Sequence, residues 1–464
     1  MPYSEHHNGE LPNTDRLSVE GNMTALMSTM KNGLVGLVFV CGLLLSSGHA
    51  FAQSYGVELQ NTLMPASGGM GGVSVADPQD LLSAINGNPS TLGYFRGTQV
   101  TFGGAWADPD YKVSHRGTDA LPGVKPFDVT SGTPGSALGN IGISQDFTAR
   151  GRSFTAGVAL ISTAGLGVDL AADSNTNNAA VTLQVLHFQP SIGVRLTDRL
   201  YVGANLGVGI GLFDGLFVGS SKATPAYGLR GSVGVNYNVN ECTRIGGYYQ
   251  TQEKFVFEDA ITLQPFTAGP SIPLDIEMDL PPNVAFGVSN NRLANGRLLL
   301  AADVIYKFWE DASLFNAVYE NQLVIQLGAQ YDAGRFKLRG GYVWAEEAMV
   351  DVVGDVIAGI TPPGAANAIQ FAQGLTSNIN QHRLTGGVGV PNVLPGIDLD
   401  MFCGTMLDAS ADYGLTSANV SSYFLGGGLT WRFGRGSGCQ LAPNEWCPAT
   451  GRNCRGCSSC STCN

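Results

Sequence analysis

The sequence predicts an all-β fold: a transmembrane antiparallel β-barrel of about fourteen strands with a small amino-terminal plug that contains a short helix. Three observations predict it. Segments of ten or more residues alternate between apolar side chains and polar or small ones, as a strand with one face in lipid and one in a lumen requires. The connections alternate between tight turns and long loops, which matches a barrel with short periplasmic turns and longer outer loops. The chain is 44% hydrophobic and only 13% charged, with 63 glycines, yet no segment after Leu45 has the length and apolarity of a membrane-spanning helix. Lipid leaves an open backbone unsatisfied, so a closed sheet is the remaining way to span it.

One of the clearest strands lies within Arg297 to Trp309, where Leu298, Leu300, Ala302, Val304, Tyr306 and Phe308 share one face and Arg297, Asp303 and Lys307 the other. A helix would scatter these residues around its axis, whereas a strand separates them. The split recurs from Phe336 to Trp344, with Phe336, Leu338, Tyr342 and Trp344 opposed to Lys337 and Arg339. It recurs again where Leu323, Ile325, Leu327, Ala329 and Tyr331 oppose Gln322, Gln326, Gln330 and Asp332. Leu186, Phe188, Ile192 and Val194 oppose His187, Gln189, Ser191 and Arg195 in the same way. The first strand is expected at Gly97 to Trp106. The last carries Tyr423, Leu425, Leu429, Trp431 and Phe433, and this aromatic ending resembles the terminal strand that barrel-assembly machinery recognises. Thr197 to Arg199, Asn238 to Glu241 and Asp332 to Gly334 read as tight turns. Asp108 to Leu138, Glu253 to Pro282 and Glu347 to Asn380 read as long loops. A large soluble β-sandwich or solenoid would also alternate, but the loop asymmetry and the export segment described next argue against it.

Lys31 precedes an apolar run from Gly33 to Leu45, and Ala50-Phe51-Ala52 puts small residues at the cleavage-determining positions, so cleavage is expected before Gln53. The run is shorter than the ~20 residues that a spanning helix needs. Residues 1–29 are polar and unpatterned, and Met23, Met27 and Met30 offer alternative starts. Val40 before Cys41 is not the small residue that lipoprotein processing requires. The expected organisation is an extension and signal peptide over 1–52, a plug over 53–95, the barrel over 96–433 and a cysteine-rich tail over 434–464. In the tail, Cys439 and Cys447 precede Cys454, Cys457, Cys460 and Cys463, the last four spaced C-x2-C-x2-C-x2-C. With Cys242 and Cys403 these make an even number of cysteines, compatible with disulfides in an oxidising compartment. Metal binding fits less well, because the spacing lacks the paired knuckles of a zinc site and the tail lacks histidine.

Residues 53–95 do not alternate. Asp77 followed by Pro78, with Asp80 three positions on, reads as a helix start capped by Asp77. Leu81, Leu82 and Ile85 form an apolar stripe, and Gly87 supplies a stop. In this order of parts, over residues 53–433, the chain resembles the FadL/TodX family of outer-membrane transporters of long-chain fatty acids and aromatic hydrocarbons. Gly69-Met70-Gly71-Gly72 and the Asn88-Pro89-Ser90 turn carry the likeness. Ala84, Asn88 and Pro89 line up with the family's plug motif, and Leu280 to Val288 looks like its strand-opening segment. Ser90 replaces the usual alanine, and the stretch from Asp77 to Ala84 is longer than the family norm. The resemblance implies a plug or gating role for Gly71, Gly72, Ala84, Asn88, Pro89 and Ser90. It also implies passive uptake of a hydrophobic solute: capture at an apolar outer groove, passage to a pocket in the barrel, and lateral escape beside a kinked strand. Such a solute gains ~25 cal/mol per Å² on leaving water. Gly165 and Gly167 are candidates for the kink, although glycine is abundant throughout.

A carboxylate solute would require a lumen-facing cation, and alternation turns Arg195, Arg230, Lys307 and Arg339 inward. Arg230 and Lys307 are the preferred pair. Against this, lumen charges commonly pair with one another, and Asp303 lies on the same face as Lys307. An uncharged hydrocarbon would instead rest on loop residues such as Phe255, Phe257, Phe266, Ile272, Leu314 and Phe315. The formal charge of −12 argues against a nucleic-acid partner. The resemblance implies hydrophobic small molecules, outer-membrane lipids and barrel-assembly machinery as partners, with no cofactor. A general porin would lack the plug, and an adhesin would carry larger loops. A lipid-modifying enzyme is disfavoured, because Gly-x-Ser-x-Gly is absent and after residue 52 only His115, His187 and His382 could serve as a base.

Overall fold

The computed structural model describes residues 57–118, 123–215, 223–263, 272–351 and 365–433. The expected signal segment, the first residues of the plug and the cysteine tail lie outside these. The strands are β1 (Thr98–His115), β2 (Phe127–Thr130), β3 (Ser136–Ala149), β4 (Arg152–Asp169), β5 (Ala180–Arg195), β6 (Leu200–Asp214), β7 (Thr224–Asn238), β8 (Thr243–Gln250), β9 (Glu253–Leu263) and β10 (Ile272–Leu280). They continue as β11 (Asn283–Leu293), β12 (Leu298–Lys307), β13 (Gln322–Asp332), β14 (Lys337–Ala345), β15 (His382–Leu394), β16 (Ile397–Tyr413) and β17 (Thr416–Phe433). Fourteen of them close an antiparallel barrel through the pairing of β17 with β1. β2 only extends the outer end of β1, and β9 and β10 form a separate hairpin between the paired strands β8 and β11.

The faces follow the alternation. On β12, Leu300 and Val304 are exposed, whereas Leu299, Ala301, Asp303, Ile305 and Lys307 are buried inside. Phe188, Leu206, Phe286, Leu327, Leu338 and Leu425 continue the exposed apolar belt around the outside, a surface that lipid would cover. The tight turns fall where expected, between β5 and β6, β7 and β8, and β13 and β14.

The wall is uneven. β1, β4, β16 and β17 run 17 to 18 residues, while β8 and β11 to β14 run 8 to 11. The three expected long loops carry structure of their own over this low side and around the rim. Asp108 to Leu138 contains the outer end of β1, then β2; Glu253 to Pro282 contains the β9–β10 hairpin; and Glu347 to Asn380 contains a helix at Ala365–Leu375. β1 runs on past Trp106 because the polarity of its faces inverts. Tyr111 and Val113 point inward and are buried, whereas Asp110 and Lys112 point outward and are exposed.

The plug sits inside the ring. A 3-10 turn at Ser67–Met70 precedes helix α1 (Leu81–Asn86), and a second 3-10 turn spans Pro89–Tyr94. The cap of α1 is Asp80, not Asp77 as expected. Asp80 Oδ1 accepts from Ser83 N at 2.8 Å, and Oδ2 accepts from Ala66 N and Ser67 N at 3.1 and 2.9 Å. Asp77 is taken instead by Arg244 of β8, at 2.5 Å. Gly87 does end the helix. The stripe of Leu81, Leu82 and Ile85 is buried against Met64, Leu92, Ala159 and Ile161.

Candidate functional site

The plug motif fits the wall by backbone contact. Gly71 and Gly72 take φ of +73° and +87°, conformations that a side chain would strain. A Cβ added to Gly341 on the facing wall would lie 2.2 Å from Gly71 N, and that N–H donates to Thr385 Oγ1 at 2.8 Å. Asn88 donates to Val75 O at 2.8 Å and to Val235 O of β7 at 3.1 Å, while accepting from Ser90 Oγ at 2.7 Å. Pro89 opens the second 3-10 turn, and Ala84 is buried in α1.

The structure brings Arg230 and Lys307 together, but around a residue of the plug. The Glu58 carboxylate pairs with Arg230 Nη1 and accepts from Asn283 Nδ2 at 3.2 Å, and Glu58 O accepts from Lys307 Nζ at 2.5 Å. Burial alone would raise the Glu58 carboxyl, but the Arg230 and Lys307 cations outweigh it and hold the group below its ordinary value. Asp303 does not serve Lys307; its Oδ2 accepts from Ser74 N and Val75 N at 2.6 and 2.9 Å. Arg339 donates to Asp400 and Gln330 at 2.6 and 2.7 Å. Arg195 reaches Asp198 at 2.7 Å in the turn after β5, away from the other three. The four cations expected to be available for ligand thus each have a partner within the chain. Unpaired buried charge is costly, and a plug that supplies a carboxylate removes that cost.

Asp77 gives the plug a pH response. Burial pushes its carboxyl up from 3.8 to about 6, against the pull of Arg244. The value in the docked plug exceeds the undocked one, so docking favours the protonated form. The stabilisation is complete below about 4 and is lost as the pH rises through about 6. The plug's calorimetric transition is expected to fall as pH rises from 5 to 7, and an Asp77→Asn variant should lose that slope.

The wall is incomplete beside the plug's amino end. β3 and β4 pair only as far as Ile141 with Leu160, and β4 is bulged against β5 between Ser162 and Ala164. The irregularity therefore falls at Thr163, ahead of the glycines expected to form it; Gly165 and Gly167 pair regularly with Gln184 and Thr182. Thr163 fits the bulge because its hydroxyl finds a partner, His187 Nδ1 at 2.5 Å. Above Leu160 the free edge of β4 is met by the plug: Gly165 N donates to Val57 O at 2.9 Å, and Glu58 bridges to Ala164. Sequence reasoning missed Glu58. Its signal was present, because Glu58 is the only charged residue between Gln53 and Ala76.

Above the plug the lumen is apolar. Phe255 and Phe257 of β9 meet Phe213, the rings of Phe213 and Phe257 lying 5.5 Å apart. Trp309, Phe315 and Tyr319 form a second aromatic group with centroids 5.1 to 5.3 Å apart. Leu314, expected beside Phe315, faces out instead and is exposed. Phe266 and the Ile272 side chain lie outside the described residues. Cys242 is disulfide-bonded, whereas Cys403, counted among the candidates for pairing, is a free thiol on the outward face of β16.

A closed antiparallel barrel of fourteen strands, with its amino-terminal segment folded inside and an apolar lumen above that segment, defines the class of plugged β-barrels. No protein-family model matches the sequence, and no curated protein does. Among solved structures the chain is similar to the Pseudomonas putida toluene transporter TodX, with a TM-score of 0.59 at 16% identity, over 82% of this chain and 99% of that one. It is also similar to a Pseudomonas aeruginosa FadL homologue, with a TM-score of 0.57 at 12% identity, over 82% and 100%. The Ralstonia pickettii toluene transporter TbuX gives 0.52 at 19%, over 81% and 99%. The resemblance read from the plug and the strands holds in the fold, which is that of FadL-type outer-membrane barrels.

Proposed function

We propose that the protein is an outer-membrane channel for passive uptake of hydrophobic solutes, uncharged and aromatic hydrocarbons before long-chain fatty acids. One observation carries this reading: the inward face of a single strand changes character along its length. On β5 the inward face is apolar at Val181, Leu183 and Val185 in the outer lumen and polar at His187, Gln189 and Ser191 nearer the inner end. A porin that passes salt needs a wet lumen throughout, whereas an apolar outer chamber offers an apolar solute its transfer energy. The aromatic groups there suit a flat ring. Fatty acid takes second place because Arg230 and Lys307 already serve Glu58. Similar structures carry names of toluene transporters, in keeping with this order. The solute would leave through the gap beside the β4 bulge once Val57 and Glu58 move. Residues 1–52 serve in this reading as the export segment, cleaved before Gln53; outer-membrane lipids surround the barrel, and the chemistry is transport, not catalysis.

The test is retention. Purified full-length protein is equilibrated with toluene, octane and oleic acid, separated from free solute, and extracted for mass spectrometry, with salt conductance read in planar bilayers. Retained hydrocarbon with a closed pore supports the reading. Solute-free protein with steady conductance identifies a porin.

A further inference from the structure

Two hydrogen-bonded chains run from the β9–β10 hairpin to the same stretch of β4, residues 163–165. The first begins at Glu253, where β9 starts. Its Oε2 lies 2.6 Å from His187 Nε2 of β5, and His187 Nδ1 lies 2.5 Å from Thr163 Oγ1 at the bulge. Glu253 and His187 are both fully buried.

The second chain begins at the two hinges of the hairpin. Thr251 joins β8 to β9, and Pro281 joins β10 to β11. Arg230 Nε donates to Thr251 O at 3.0 Å, and Nη2 donates to Pro281 O at 2.5 Å. The same guanidinium holds Glu58. Glu58 bridges to Ala164, and its neighbour Val57 accepts from Gly165 N. The hairpin that lines the outer lumen and the plug segment that closes the side gap therefore share their anchors.

The hairpin is also seated closely on the wall. Its inner residues lie over glycines on the wall: a Cβ at Gly209 would stand 2.1 Å from Glu253 Oε1, and one at Gly211 would stand 3.0 Å from the Phe255 ring.

We propose that the β9–β10 hairpin and the plug's amino end are coupled gates, so that raising the hairpin to admit solute loosens the contact of Val57 and Glu58 with β4. Withdrawing Glu253 strips His187 of its buried partner and unsettles the bulge. Tilting the hinges strips Arg230 of two carbonyls and unsettles Glu58. Buried polar groups tolerate partial satisfaction poorly, so each chain favours both gates closed or both open. Coupling of this kind is reciprocal. The proposal takes its purpose from the solute-channel reading, but its structural content is tested apart from transport.

Amide hydrogen exchange on the full-length protein in detergent decides it. A Glu253→Ala variant, altered only in the hairpin, is expected to speed exchange at Gly165 at least tenfold, with no change in β14. Conversely, Thr163→Val, altered only at the bulge, is expected to speed exchange from Lys254 to Phe257. Faster exchange confined to the hairpin in the first variant and to β4 in the second overturns the coupling. If Glu253→Ala does not form a heat-modifiable barrel, the reciprocal measurement on Thr163→Val decides alone. Coupled exchange in a protein that retains no hydrocarbon would remove the transport reading and leave the coupling in place. Retention without coupled exchange would do the opposite.

Discussion

Replacing Arg230 by methionine is expected to detach the plug's amino end and leave a standing salt leak through the barrel. The substitution keeps much of the side chain's volume but removes the charge that pairs with Glu58, a residue as deeply buried as Arg230 itself. Breaking one side of a buried pair costs about 3–5 kcal/mol, because the remaining carboxylate loses its ion-pair partner and keeps only the Asn283 amide as a direct donor. Lys307 offsets only part of the loss, since its charge acts on the carboxylate while its ammonium donates to the Glu58 carbonyl. The sign of the pH response separates this account from general damage. In the native protein the Glu58 carboxyl lies below its ordinary 4.5, so its stabilisation is in place above that pH and is lost as the pH falls through the lowered value. In Arg230→Met the remaining carboxylate is a liability, so acid should tighten the plug instead. Adding Glu58→Gln should restore closure, since removing both partners of a buried pair is far cheaper than removing one. Single-channel recording from pH 4 to 7 reads all of this. A double variant that leaks as much as the single one would show that the charge is not what holds the plug.

Much of the barrel was legible because lipid imposes a period of two on whatever faces it. β12 to β14 read cleanly, since Leu300, Leu327 and Leu338 meet lipid while Asp303, Gln326 and Arg339 meet the lumen. The rule fails where the strands leave the membrane. Beyond Trp106 the outward positions of β1 become Asp110 and Lys112 and the inward ones Tyr111 and Val113, so the same alternation continues with its phase reversed and reads as loop. β9 hid for the same reason, with Lys254 and Val256 outside and Phe255 and Phe257 inside. That reversal is itself the functional signal, because it marks where the lumen becomes apolar.

The site was legible only by halves. Alternation placed Arg230 and Lys307 in the lumen correctly, but it says nothing about partners supplied from 172 and 249 positions away in the chain. The helix start in the plug was misread by three residues for the same reason. Asp77-Pro78 has the local form of a cap, but Arg244 is 167 residues distant, and a buried guanidinium competes for a carboxylate better than backbone amides do. Thr163, His187 and Glu253 lie on three different strands, so no spacing in one dimension links them.

Asp80, which took the capping role, is expected to be the residue on which the plug depends most after Arg230 of the barrel wall. Its two oxygens accept four hydrogen bonds: from Ser83 N and Oγ at 2.8 and 3.0 Å, and from Ala66 N and Ser67 N at 3.1 and 2.9 Å. Asp80→Ala loses the cap, at ~1 kcal/mol. It also leaves two buried amides of the preceding 3-10 turn without an acceptor, at about 1–3 kcal/mol each. A plug of this size, with a helix of six residues, has little margin for that. It should melt inside an intact barrel, seen as a lost low-temperature calorimetric transition while the barrel keeps its heat-modifiable mobility. Burial pushes the Asp80 carboxyl above its ordinary 3.8 despite these bonds. The native contribution is therefore greatest below that value and declines as the pH rises through the raised one, a dependence that alanine abolishes. Asp80→Ala should leak like Arg230→Met, but Glu58→Gln should not rescue it, because its defect is missing acceptors rather than a stranded charge. If Glu58→Gln rescued both variants equally, the plug would be held by its charge alone and its internal hydrogen bonds would be incidental.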